Sequence, residues 1–181
     1  MLYTTKYFSP IGEMLLVSNE NDLLALSIKG QKYEYTLEKQ EVQEKEDIPI
    51  LQKTKNWLDR YFQREKPKIE ELSLSPIGNE FRQRVWKILC DIPYGETITY
   101  GEIAQKIAKQ MNKKTMSAQA VGNAVGHNPI SIIIPCHRVV GKNGNLTGYA
   151  GGIDKKIKLL QIENVDTEKL FVPKKERKWK D

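Results

Sequence analysis

Residues 132–140 of this 181-residue chain read Ile-Ile-Ile-Pro-Cys-His-Arg-Val-Val, a thiol set between a proline and an imidazole at the end of an aliphatic run. A cysteine attacks as its thiolate, and a nearby imidazole or cation lowers the cost of removing the proton. By residue type alone, a cysteine after three isoleucines is better read as a small, packed apolar side chain. Its neighbours favour chemistry. Pro135 has a fixed φ and no amide donor, which suits a strand that stops there. His137 and Arg138 then add polar groups where a core would add volume. Adjacent side chains project in different directions, so a link from Cys136 to His137 is expected to pass through a water. The second cysteine, Cys90, continues an apolar helical stripe and reads as core. The four Cys and His residues, Cys90, His127, Cys136 and His137, lack CxxC or HxxxH spacing, so no metal and no other cofactor is expected.

The elements that must hold this segment follow from the pattern on either side. Residues 2–8, 13–18 and 23–28 read as short strands parted by turns, an antiparallel meander. Residues 32–47 are polar with little period and read as loop or irregular helix. From Pro49, the residues Ile50, Leu51, Thr54, Trp57, Leu58, Tyr61 and Phe62 recur at helical spacing and can cover one sheet face, with a stop near Pro67. Residues 68–78, with Pro76 and Gly78, read as a linker closing an N-terminal domain of residues 1–78. The second domain, residues 79–181, is mostly helical. Asn79 caps a helix carrying Phe81, Val85, Trp86 and Leu89. Thr99 to Glu102 has capping-box spacing, with Ile103, Ala104 and Ile107 behind it.

After a lysine-rich connection, Ser117 can cap a helix over residues 118–126. Ala118, Val121 and Val125 are expected on one side, and Gln119, Gly122, Asn123 and Gly126 on a small, polar one. Two interior glycines cost about 1 kcal/mol each relative to alanine, which close approach by another backbone, protein or DNA, would offset. The pair of helices resembles a helix-turn-helix with an overlong connection; on pattern alone, ordinary helix packing is an equal reading. Residues 148–152, Gly-Tyr-Ala-Gly-Gly, form a loop almost bare of side chains. Asp154 opens a last helix with Ile157, Leu159, Leu160 and Ile162, on which Glu163 stands out as polar. The fold class is therefore α+β: a small antiparallel sheet with a helix, then a helical domain with a helix-turn-helix-like element.

Charge separates the halves. Residues 1–78 carry 11 Lys+Arg against 13 Asp+Glu, net −2, and residues 79–181 carry 18 against 10, net +8. A basic C-terminal part suits a polyanion such as nucleic acid, though a solvated lysine surface is the simpler alternative. The basic segment 173–181 is expected to be a mobile tail that attracts phosphates without specificity. Two cysteines make a disulfide framework implausible. The first ten residues lack a secretory apolar core, and no apolar run is long enough to cross a bilayer, so a cytoplasmic protein is expected.

Taken together, these blocks resemble the O6-alkylguanine-DNA alkyltransferases, the methylated-DNA–protein-cysteine methyltransferases. The resemblance rests on Pro135-Cys136-His137-Arg138-Val139, Asn128-Pro129 before it, residues 148–152 after it, residues 93–100 and the Ala120-Val121-Gly122 helix. It covers most of residues 79–165, and residues 1–78 only in general organisation. It implies direct DNA repair: Cys136 takes the alkyl group from O6 of a flipped guanine, with O4 of thymine as a further candidate donor, and keeps it as a thioether in a single turnover.

The resemblance also assigns roles. His137, Glu163 and a water would draw the proton from Cys136, Tyr100 would donate to the leaving purine, and Asn128 would brace the turn. Carbonyls at Cys136 and Val139, the Ala150 amide, and Tyr149 and Gly151 would form the base site. Thr99, Tyr100, Ser117, Ala118, Gln119, Ala120, Gly122, Asn123 and Arg138 would meet double-stranded DNA from the minor groove. Gln119 occupies the position of the family's arginine finger and lacks the guanidinium's charge and planar face. Residues 1–78 have no Cys or His, so the N-terminal zinc of some members is not expected. A stand-alone monomer is expected. The competing reading is an alkyltransferase-like lesion binder without transfer, whose relatives replace the cysteine. A cysteine hydrolase or redox enzyme is more distant, since no oxyanion site and no resolving cysteine can be identified.

Overall fold

The structure is a computed structural model that describes residues 1–173. The expected tail lies, from residue 174 onward, outside the described residues. β1 (Leu2–Ser9), β2 (Gly12–Ser18) and β3 (Leu23–Ile28) form the expected antiparallel meander. The sheet is not purely antiparallel, however. Residues 32–47, read as loop or irregular helix, contain a fourth strand, β4 (Val42–Glu44), which lies parallel to β1 and gives the order β3-β2-β1-β4. All three β4 residues are exposed, so this edge strand has no alternation of apolar and polar residues by which a sequence could announce it.

α1 (Pro49–Phe62) lays Ile50, Leu51, Thr54, Trp57, Leu58 and Tyr61 against the sheet. The C-terminal part holds α2 (Glu80–Cys90), α3 (Tyr100–Gln110), α4 (Ala118–Gly126) and α5 (Ile153–Ile162). The helix starts are where capping chemistry puts them. Asn79 Oδ1 accepts from the Arg82 amide at 2.9 Å, Ser117 Oγ from Ala120 at 3.2 Å, and Thr99 and Glu102 form a reciprocal capping box. The Trp86 indole donates to the Ala124 carbonyl at 2.9 Å, tying α2 to α4. A two-stranded parallel pair, β5 (Ile98–Thr99) with β6 (Val139–Val140), joins the start of α3 to the segment after Cys136. It is too short to leave a periodic signal.

One apolar core runs through both parts of the chain, from Met14, Leu16 and Leu26 of the sheet to Trp86, Val121 and Ile134. The parts also share backbone bonds. The Leu26 amide donates to the Pro129 carbonyl at 2.9 Å, and the Ser131 amide donates to the Leu26 carbonyl at 3.0 Å. The edge strand β3 is thereby satisfied by the turn that leads to Cys136. An edge otherwise free to template aggregation becomes a brace for the site.

Candidate active site

The segment between α4 and Cys136 doubles back tightly, and Asn128 is the residue that makes this possible. Its side-chain amide donates to the Ile134 carbonyl at 2.7 Å and to the Ile130 carbonyl at 3.3 Å, while its Oδ1 accepts from the Ile130 amide at 3.0 Å. Inside that clamp Ile132 sits at φ 70°. A β-branched residue in the left-handed region costs about 1–3 kcal/mol and persists only where surroundings dictate it. Ile132, Ile133 and Ile134 are buried, so their apolar burial and the Asn128 bonds hold the turn. A 3-10 turn over Cys136–Arg138 follows.

Behind the thiol lies a buried charge cluster. His137 Nε2 is 2.5 Å from Glu163 Oε2, and both side chains are wholly buried. Arg138 Nε donates to Glu163 Oε1 at 2.7 Å, a terminal guanidinium nitrogen makes a second bond to the same oxygen, and Nη1 donates to the Ile92 carbonyl at 2.6 Å. Burial alone would raise the Glu163 carboxyl, but His137 and Arg138 outweigh it and hold the group below its usual range. Burial lowers the His137 imidazole and outweighs the pull of Glu163, so the ring is neutral at neutral pH. A carboxylate can only accept, which puts the single ring proton on Nε2. Nδ1 is then the basic nitrogen, and it is buried without a hydrogen-bond partner among the described residues.

The Cys136 thiol is 6 % exposed. Burial raises its pKa; the Asn128 side chain, the Lys156 charge and the amides of Cys136 and His137 pull it back. Two neighbours thus favour the thiolate without being bases. Cys90 has no such company: burial and the carboxylates of Asp91 and Glu70 push it up to about 11, in keeping with an inert thiol packed against the core.

Cys136 opens onto a cavity of about 960 Å³, whose walls include Tyr100, Gly122 and Gly126 of α4, residues 148–152, and Lys32 and Tyr33 from the N-terminal part. Tyr149, Ala150 and Gly151 therefore line it as expected, whereas Val139 is fully buried on β6 and is not in its wall. The Tyr100 hydroxyl donates to the Thr147 carbonyl at 3.0 Å, anchoring the glycine-rich loop. A Cβ at Gly151 would lie 2.9 Å from the Tyr149 ring and 3.0 Å from Ile28 Cδ1, so glycine lets the loop pass between ring and sheet. Gly122 and Gly126 differ. A Cβ at Gly122 would meet Tyr100 at an ordinary 3.9 Å, and one at Gly126 would meet nothing within 4 Å. Among the described residues, no backbone closes on that face of α4.

Ser117, Ala118, Gln119 and Asn123 are exposed on α4 and at its cap, Ala120 and Gly122 are half-buried, and Thr99 is half-buried with its hydroxyl engaged as a cap. Three expectations need correction. Ala118 does not pack inward with Val121 and Val125; Ala124 takes that place, because the turn beginning at Ser117 leaves the first helical residue outside. Arg138 is not on the DNA-facing surface. It is buried and its guanidinium is engaged by Glu163 and Ile92, so it stands behind the site as a counter-ion. Glu163 itself is the C-cap residue of α5, not a residue within it.

One residue of the cluster carries only a faint sequence signal. Lys156, among the lysines of α5, has the look of a solvated helix residue, yet it is fully buried, with Nζ 3.4 Å from the Thr147 carbonyl and 3.3 Å from that of Gly148. Its place one helical turn before Leu159 and Leu160, on their face, was the only available hint.

Comparison with known proteins gives a consistent result. Residues 80–165 match the family described as 6-O-methylguanine DNA methyltransferase, DNA binding domain, and residues 2–76 match its ribonuclease-like domain. The chain is 44% identical over 165 residues to a methylated-DNA–protein-cysteine methyltransferase of Methanosarcina acetivorans, covering 90% of this chain and 98% of that one. It is 38% identical over 164 residues to the protein of the same name from Haemophilus influenzae, covering 91% and 87%. Among solved structures, Mycobacterium tuberculosis OGT in complex with DNA superposes with a TM-score of 0.74 at 37% identity, covering 93% of this chain and 94% of that one.

Proposed function

Because the chain belongs to the 6-O-methylguanine DNA methyltransferase family, we propose that it is a methylated-DNA–protein-cysteine methyltransferase that repairs O6-alkylguanine in duplex DNA by moving the alkyl group to Cys136. One observation carries this reading: the thiol lies at the wall of a cavity roomy enough to admit a nucleotide, with a neutral imidazole backed by a buried carboxylate behind it.

His137 Nδ1 takes the thiol proton, through a bridging water, and Glu163 stabilises the imidazolium through Nε2. The thiolate attacks the alkyl carbon, a carbon–sulfur bond forms as the carbon–O6 bond breaks, and the electron pair passes into the purine. Tyr100 lines the same cavity, and its hydroxyl, which donates to the Thr147 carbonyl in the free protein, would turn from that carbonyl to donate to the departing ring. Overall the thiol proton replaces the alkyl group on guanine. The thioether has no good leaving group, so each molecule acts once. A lesion binder that does not transfer would have no need of a thiol at this position.

O6 within a duplex cannot reach a buried thiol, so the nucleotide must leave the stack. The open glycine face of α4 suits close approach to a minor groove, and Gln119 and Asn123 are exposed beside it. The site is complete within one chain, which fits a monomer. A reduced, cytoplasmic setting suits a protein that must keep its thiol unoxidised.

The test is intact-mass measurement after mixing the protein with duplex DNA carrying O6-methylguanine. One methyl per chain on Cys136, with an equal amount of guanine restored, is expected. Binding with an unmodified protein overturns transfer, and turnover beyond one equivalent overturns the suicide mechanism.

A further inference from the structure

The wall of the cavity farthest in sequence from Cys136 comes from the loop after β3, and Tyr33 is its most unusual residue. It is 59 % exposed, a large aromatic ring at the rim of a cavity whose thiol is buried. Its backbone is at φ 57°, a conformation that a bulky residue holds only when the surroundings dictate it. They do so here. The Lys32 amide donates to the Ala150 carbonyl at 2.9 Å, the Gly30 amide donates to Glu34 Oε1 at 2.9 Å, and Gln31 Oε1 accepts from the Ile28 amide at 2.7 Å. The ring then lies on the imidazole of His127, with centroids 3.8 Å apart and planes 25° apart.

His127 is fixed in turn. It is the C-cap residue of α4, and its Nδ1 donates to the Asn123 carbonyl at 2.7 Å. One face of Tyr33 is therefore backed by a ring anchored on the helix whose open face lines the cavity, and much of the ring remains exposed, with Lys32 beside it in the cavity wall. An exposed aromatic face next to a lysine is the chemistry that holds an unpaired nucleotide, by stacking on the base and attraction to the phosphate.

We propose that Tyr33, backed by His127, is a stacking platform at the cavity mouth that receives the extruded nucleotide before it enters the thiol chamber, so that the N-terminal part of the chain contributes to substrate capture. This rests on the methyl-transfer reading above. A free alkylated base does not leave a helix and has no phosphate, so it enters without the platform.

Single-turnover transfer is to be measured at sub-saturating concentration with three substrates: duplex and single-stranded oligonucleotides carrying O6-methylguanine, and free O6-benzylguanine. Tyr33→Ala is expected to slow both oligonucleotide reactions by about tenfold and His127→Ala by about threefold, the range for losing or loosening one base–aromatic stack. Tyr33→Phe stays within about twofold of the parent, since the ring is kept. Reaction with the free base, which lacks the phosphate and need not leave a helix, is expected to fall by no more than about twofold in all three. Wild-type rates for Tyr33→Ala on both oligonucleotides overturn the inference. So does an equal loss on the free base, which would mean a collapsed loop, or a loss in Tyr33→Phe as large as in Tyr33→Ala. A wild-type chain that takes no methyl from either oligonucleotide overturns the functional reading, and this inference with it.

Discussion

The two sides of Cys136 are built on opposite principles. Behind it, Asn128, His137, Arg138 and Glu163 are buried and tied to one another or to backbone carbonyls. In front, α4 shows the solvent Ser117, Ala118, Gln119 and Asn123, with glycines whose missing Cβ atoms would meet no backbone among the described residues. The rear can place protons and charges because nothing there can move cheaply. The front is left unfilled because its partner is another molecule. Substitutions behind the thiol should therefore cost stability and chemistry together, and substitutions in front should alter capture of DNA alone.

The largest effect is expected for Glu163→Gln. It leaves Arg138 buried without its counter-charge and His137 without its carboxylate, so stability should fall by about 3–5 kcal/mol in denaturant titrations. Methyl transfer should slow by about a hundredfold or more, for DNA and free base alike. Intact stability with a slow reaction would separate the two roles assigned to this carboxylate.

Acid should dismantle the same cluster, and the sign follows from the two shifts. Both His137 and Glu163 bind protons less readily in the fold than their usual values of 6.5 and 4.5. The unfolded chain thus binds more protons as the pH falls, and stability drops with it. The His137 contribution is full above pH 6.5 and is lost as the pH falls from there toward its lowered folded value. That of Glu163 is full above pH 4.5 and is lost below, as the pH falls through its folded value. Urea midpoints should decline from about pH 7 to 5 in the parent and more shallowly in His137→Phe; parallel curves would contradict a buried neutral imidazole.

Asn128→Ala removes three bonds from a turn that holds Ile132 in the left-handed region, with a loss of about 2–4 kcal/mol expected in thermal or denaturant unfolding. Lys156→Met removes a buried cation that favours the thiolate. Transfer near neutral pH should slow by about tenfold, and the deficit should shrink as the pH is raised. A deficit independent of pH would instead assign Lys156 to loop anchoring through Thr147 and Gly148. The smallest effect tests the open side: Gln119→Arg should speed repair in duplex by about two- to fivefold and leave free O6-benzylguanine unaffected. Equal acceleration of both would remove Gln119 from the flipping step.

These contrasts also separate what could be read from the chain. Cys136, its neighbours, the helix caps at Asn79, Thr99 and Ser117, and the small face of α4 were legible because each is a local signal within a few residues. β4 was not, since an exposed edge strand has no pattern of its own. The burial of Arg138 and Lys156 is hidden for a shared reason: a charged side chain in a sequence reads as solvated, and only its partners show that it is buried.

The sequence alone determined which residues could react, where the helices begin and which helix face would stay bare, because thiol chemistry, capping and periodicity act over short spans of chain. Tertiary structure alone decided that Glu163 meets His137 across 26 positions, that β3 braces the turn before Cys136 and that Tyr33 reaches His127. Those pairings depend on one core shared by both parts of the chain, in which burial keeps the His137 ring neutral and the Glu163 carboxylate sets which ring nitrogen carries the proton.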